Sequence, residues 1–60
     1  MKKFKVEVYE SAHNRHYVTR YCDSYEECIA YIQHKQAWKF FWFATIAEFD
    51  MCWWELACIE

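Results

Sequence analysis

Met51-Cys52-Trp53-Trp54-Glu55-Leu56-Ala57-Cys58-Ile59 admits two periodicities, and the choice between them decides the fold. At period two, Cys52, Trp54, Leu56 and Cys58 share one face, with Met51, Trp53, Ala57 and Ile59 on the other. At period 3.6, Thr45-x-x-Glu48 supplies a helix start, and Ile46, Phe49, Trp53 and Leu56 form a stripe. The strand is the adopted reading and the helix its alternative. Just upstream, Trp38-Lys39-Phe40-Phe41-Trp42-Phe43-Ala44-Thr45-Ile46-Ala47 is too apolar to alternate. Such a run suits a strand that meets apolar neighbours on both faces. Trp38, Phe40, Trp42, Ala44 and Ile46 then lie on one face, and Phe41, Phe43, Thr45 and Ala47 on the other.

Working towards the N-terminus, residues 3–10 alternate strictly, with Phe4, Val6 and Val8 opposed to Lys3, Lys5, Glu7 and Tyr9. That is a half-buried strand. Ser11 to Arg15 hold the best turn residues, and Asn14 is the one best able to adopt a left-handed conformation. Residues 16–22 return as a β-branched and aromatic strand. A pairing of odd register, with Val6 opposite Tyr21 and Val8 opposite Thr19, keeps Arg20 and His16 away from the apolar face. The even register buries them, and an unpaired buried charge costs more than a cross-strand contact gains. The expected inner face is therefore Phe4, Val6, Val8, Tyr17, Thr19 and Tyr21, with Lys3, Lys5, Glu7, Tyr9, Val18 and Arg20 outside. Asp23-Ser24-Tyr25-Glu26-Glu27 opens a helix, where Ser24 with Glu27, or Asp23 with Glu26, makes a capping box. Tyr25, Cys28, Ile29 and Ile32 recur at helical spacing, and the helix ends near Gln36. The expected architecture is α+β in a single domain, 1–60. An antiparallel or mixed sheet of about four strands carries one helix on one face, in the order β-β-α-β-β, with a helical last segment as the alternative.

Sixty residues without glycine or proline leave a core that is marginal by itself. Fourteen are aromatic, which rules out the polar composition of disordered chains. The net charge of −2 is polarised. Lys2, Lys3, Lys5, Arg15 and Arg20 against Glu7 and Glu10 give residues 1–20 a charge of +3. Glu48, Asp50, Glu55 and Glu60 give residues 41–60 a charge of −4. Glu7 interrupts any apolar core of a signal peptide, and the longest uncharged apolar run, Phe40 to Ala47, is far short of a membrane span. The expectation is a cytoplasmic protein with reduced thiols and no membrane partner.

Few residues in the sequence are arranged to carry chemistry. The cysteines at 22, 28, 52 and 58 form two C-x5-C pairs, wider than the knuckles of zinc sites. Cys52 and Cys58 on one strand stand about 20 Å apart. Buried free cysteine acts as a small hydrophobe, and only a cross-pair such as Cys22 with Cys58 keeps a geometrical route to bonding. His13 and His16, with Cys22, are the one set of metal-ligating types near a turn, and turn histidines are more often solvated. No catalytic constellation, glycine-rich phosphate loop or isolated carboxylate pair is present, so no enzyme activity, cofactor or metal is expected.

One helix of about a dozen residues shields one sheet face, and four tryptophans exceed what it covers. The remaining face is expected to be an exposed aromatic patch, the kind that marks a binding site or subunit contact. A helical last segment would instead close the second face. Candidate anchors are Trp38, Phe41, Phe43 and Trp53. Lys3, Lys5 and Arg20 would steer an acidic partner. The same basic residues beside an aromatic sheet outline an alternative, a nucleic-acid-binding module.

The opening Lys2-Lys3-Phe4, the hairpin, and the helix beginning Ser24-Tyr25-Glu26-Glu27 resemble the small phage-encoded host-takeover inhibitors. The likeness spans residues 2–32, and the more aromatic residues 38–60 depart from it. It implies an inhibitor or regulator that binds a host enzyme. The expected function is a non-enzymatic interaction protein whose partner is another protein, a host enzyme or a second copy in a homodimer.

Overall fold

In the computed structural model, which describes residues 3–60, the order is β1 (Phe4–Glu10), β2 (Arg15–Cys22), α1 (Tyr25–Gln36), β3 (Phe41–Asp50) and β4 (Cys52–Ile59). Met1 and Lys2, including the Lys2 counted among the basic groups, lie outside the described residues. The architecture is the expected α+β one: a single antiparallel sheet in the spatial order β2-β1-β3-β4 with one helix. Residues 52–59 are a strand. Met51 alone links β3 to β4 at φ 67°, with Asp50 opposite Cys52, so the chain doubles back where the helical alternative required it to continue.

β2 and β3 both run antiparallel to β1, hence parallel to each other, and α1 is the crossover that joins them. This connection lays the helix over β1 and its two neighbours and leaves β4 without helical cover. Ser24 caps the helix as its sequence requires: its Oγ accepts from Glu27 N at 3.2 Å, while Glu27 Oε2 accepts from Asp23 N at 3.0 Å. Cys28 and Ile32 project from α1 into a core completed by Val6, Val8, Cys22, Ala44 and Ile46. Burying each large aliphatic side chain contributes about 1.5–3 kcal/mol. Phe4, Val18, Ile29, Tyr31, Phe41 and Ile59 pack around its rim.

The hairpin register corrects the sequence expectation. Phe4 pairs with Cys22, Val6 with Arg20 and Val8 with Val18, so Val18, Arg20 and Cys22 share the helix face and Thr19 and Tyr21 the opposite one. The even register does not bury the charge as expected, because β2 is an edge strand. Arg20 stays exposed there, its guanidinium 4.9 Å from the centre of the Tyr31 ring. A bulge between the pairs Val8–Val18 and Tyr9–His16 leaves Tyr17 unmatched and carries His16 to the far face.

Two further bulges re-aim side chains. Tyr9 pairs with Phe43 but Glu10 with Phe41, leaving Trp42 unmatched; Ile46 pairs with Ala57 but Ala47 with Glu55, leaving Leu56 unmatched. The first turns Phe41 to the side of Ala44 and Ile46, against the core, where strict alternation grouped it with Phe43. β3 also begins three residues later than expected, because residues 37–40 make the turn out of the helix, with Trp38 N donating to Lys35 O.

Candidate functional site

The sheet face opposite α1 has no covering element among the described residues. Its occupants follow from the register: Tyr21, Thr19 and His16 from β2; Lys5, Glu7 and Tyr9 from β1; Phe43, Thr45, Ala47 and Phe49 from β3; Trp53, Glu55 and Cys58 from β4. Two aromatic clusters form at its ends. At one end Trp53 stacks on Phe49 at 5.3 Å between ring centres, meets Tyr21 at 5.9 Å, and carries the Lys5 ammonium 4.6 Å from its ring centre. At the other end Tyr9 lies nearly parallel to Phe43 at 4.4 Å, His16 meets Tyr9 edge-on at 5.6 Å, and Trp42 meets Phe43 edge-on at 5.0 Å. Between them lie Thr19, Thr45 and the Lys5–Glu7 ion pair at 3.7 Å.

Exposure settles the supply of aromatic surface. On this face Trp53 is 38% and Tyr21 52% accessible, and Trp42, against Phe43, is 44%; Trp54, 59% accessible, lies on the helix side of β4. Large rings left in water at this level are the anchors from which interfaces are assembled. β4 adds a second feature: of Cys52–Ile59 only Glu55 is charged, and the outer backbone edge of this strand is unpaired. Edge strands of this kind accept a further strand unless charge or cover prevents it. On the opposite edge, β2 carries Arg15, His16 and Arg20.

The seven residues singled out from sequence fall in three places. Phe43, Trp53 and Lys5 share the uncovered face, and Lys3 lies beside it, 3.9 Å from Glu48. Phe41 faces the core. Trp38 and Arg20 sit on the helix side, near Tyr17 and Tyr31 respectively. The proposed grouping of Lys3, Lys5 and Arg20 on one face therefore does not occur. Tyr21, Phe49, Tyr9 and Trp42 complete the clusters and were not singled out, although the alternation of residues 3–10 had placed Tyr9 outward.

The electrostatics are modest. The Tyr9 phenol is raised above its ordinary pKa by partial burial, then by Glu7 and Glu55. Among the thiols, Cys28 is pushed up to about 12 by burial, then by its hydrogen bond to and charge interaction with Cys22 and by Glu27. All four cysteines are free; Cys22 and Cys28 are buried side by side, and Cys52 and Cys58 are exposed. The Cys22–Cys58 cross-pair is not formed, since those residues lie on opposite edge strands. His13 turns to Glu10 Oε1 at 3.2 Å and His16 to Thr19 Oγ1 at 2.7 Å, while Cys22 is in the core. Among the described residues no three His, Cys, Asp or Glu side chains are gathered as a metal site, and no cavity is enclosed. Among the described residues no helix is long and apolar enough to cross a membrane. Comparison of the chain with protein-family models, curated proteins and solved structures returns no match.

Proposed function

We propose that this protein is a non-enzymatic interaction module, an inhibitor or regulator that docks onto another protein through the sheet face opposite α1. One observation carries the reading: a face with no cover among the described residues holds two ring clusters built from all four strands. The molecule measures 33 by 19 by 16 Å between Cα extremes, with 4213 Å² of accessible surface. A standard interface takes about 800 Å² per partner, about a fifth of that surface. Trp53 with Phe49 and Phe43 with Tyr9 are the anchors. The polar strip between them sets register on the partner, and β4 offers a backbone edge for strand addition.

A host enzyme as the partner, as the resemblance of residues 2–32 implies, is the finer form of this reading. Co-purification from the native host tests it with paired variants that keep the fold. Wild type is expected to retain a stoichiometric protein partner, or to run at twice its 7.5 kDa mass. Trp53→Ala with Phe43→Ala is expected to lose that association, and Lys39→Ala to keep it. A wild-type chain that stays monomeric and retains nothing contradicts the proposal.

A further inference from the structure

A second surface, on the helix side of β2, joins cations and rings in one continuous chain of contacts. Arg20 lies over Tyr31 at 4.9 Å; Lys35 sits 5.6 Å from Tyr31 and 5.4 Å from Tyr17; Tyr17 meets Trp38 at 4.7 Å. Trp38 then meets Phe40 edge-on at 5.8 Å, and Lys39 lies 5.0 Å over Phe40. The residues come from three places: β2, the last turns of α1, and the turn at 37–40. Tyr17 reaches the strip because it is the unmatched residue of the β2 bulge.

The ion pairing of the molecule separates this strip from the rest. Among the described residues, Lys3 pairs with Glu48, Lys5 with Glu7 and Arg15 with Glu10. The other three lysines and arginines, Arg20, Lys35 and Lys39, have no carboxylate within ion-pairing distance, and all three belong to the strip. The C-terminal dipole of α1 offsets about half a charge, so more than two positive charges remain for an external anion. Rings alternating with unpaired cations on an open surface match the two recurring parts of a single nucleic-acid strand, flat bases and phosphates. A duplex hides its base faces and uses only half of this chemistry.

We propose that Arg20, Lys35 and Lys39, with Tyr17, Trp38 and Phe40, form a binding strip for a short single strand of nucleic acid. Phosphates replace the rings as partners of the lysine ammonium groups, and the freed faces of Tyr17 and Phe40, with the indole of Trp38, stack the bases. The strip is separate from the uncovered sheet face, so the two readings stand or fall apart.

The test is fluorescence anisotropy of labelled dT12 and rU12 over stepped sodium chloride, with a 12-bp duplex and inorganic polyphosphate as competitors. Three phosphate contacts predict a log K against log salt slope of about −2 for single strands. Indole emission is expected to fall on binding. Trp38→Ala is expected to weaken binding about tenfold or more, from the loss of one stacked base. Lys35→Glu with Lys39→Glu is expected to weaken it further and flatten the slope. Lys3→Glu, at the other end of the sheet, is expected to leave it unchanged, with circular dichroism confirming the fold of each variant. No binding at 50 mM salt overturns the proposal. So does equal loss in Lys3→Glu and the double lysine variant. Binding that polyphosphate displaces as readily as an oligonucleotide, and that Trp38→Ala does not alter, overturns it too, because the strip is then a charge patch without base stacking.

Discussion

Asn14 and Met51 are, among the described residues, the two held at positive φ, 51° and 67°, in a chain that has no glycine to place there. Asparagine tolerates this region; a long apolar side chain such as methionine does so at a cost of about 1–2 kcal/mol. Met51 is 96% exposed, so no packing offsets that cost. Met51→Gly relieves the strain but gives back about 0.4–1 kcal/mol through the freer unfolded chain. Urea denaturation is expected to show Met51→Gly more stable by about 0.5 kcal/mol and Met51→Val less stable by more than 1 kcal/mol. The four thiols separate in the same residue-by-residue way. Alkylation at pH 8 is expected to modify Cys52 and Cys58 quickly, and Cys22 and Cys28 only on unfolding. Because the folded pKa of Cys28 lies above the unfolded value, the native state holds its proton where the unfolded chain releases it. The stability from this group is complete below the ordinary thiol range, about pH 8.5–9, and is lost as pH rises from there towards about 12. Denaturation midpoints measured between pH 8 and 10.5 check the sign, and Cys28→Ala is expected to flatten the trend.

At the scale of elements, the helix and its cap were legible because they are local: Ser24 needs only Glu27, three residues on. Ser24→Ala is expected to cost about 1 kcal/mol in thermal or urea unfolding. β1 was legible from its alternation, and β4 from its period-two pattern. The register of β2 was not, because it depends on which strand is central. Nothing in residues 15–22 states that β1, rather than β2, lies beside β3. The bulges at Tyr17, Trp42 and Leu56 leave no compositional trace, and they decide where Phe41, His16 and Tyr17 point. That the chain has more aromatic surface than one helix covers could be read from sequence. Which rings meet could not, since Tyr21 and Trp53 come from opposite edges of the sheet. Cross-strand Hα–Hα contacts in NMR spectra test the register: even-register pairs such as Val6 with Arg20 are expected, and Val6 with Tyr21 contradicts it.

For the whole molecule, a core of seven buried residues beneath one helix leaves little stability in reserve. Ile46→Ala, at a cost of about 2–5 kcal/mol, is expected to unfold most of the isolated chain. A partner that binds only the folded form adds about 2.7 kcal/mol at a hundredfold excess over Kd, so the melting temperature rises with partner concentration. Under the proposed docking, the uncovered rings that are a liability in the free protein become the means by which a bound one is stabilised.

Solvent paramagnetic relaxation of the ring protons of Trp53, Phe49, Tyr21, Tyr9 and Phe43 tests the open sheet face most directly. Strong relaxation of Tyr21 and Trp53, and weaker but measurable relaxation of the half-buried Phe49, Tyr9 and Phe43, are expected in the dilute monomer and are lost in the complex. Rings already shielded in the dilute monomer, or relaxation unchanged when the partner binds, would contradict it.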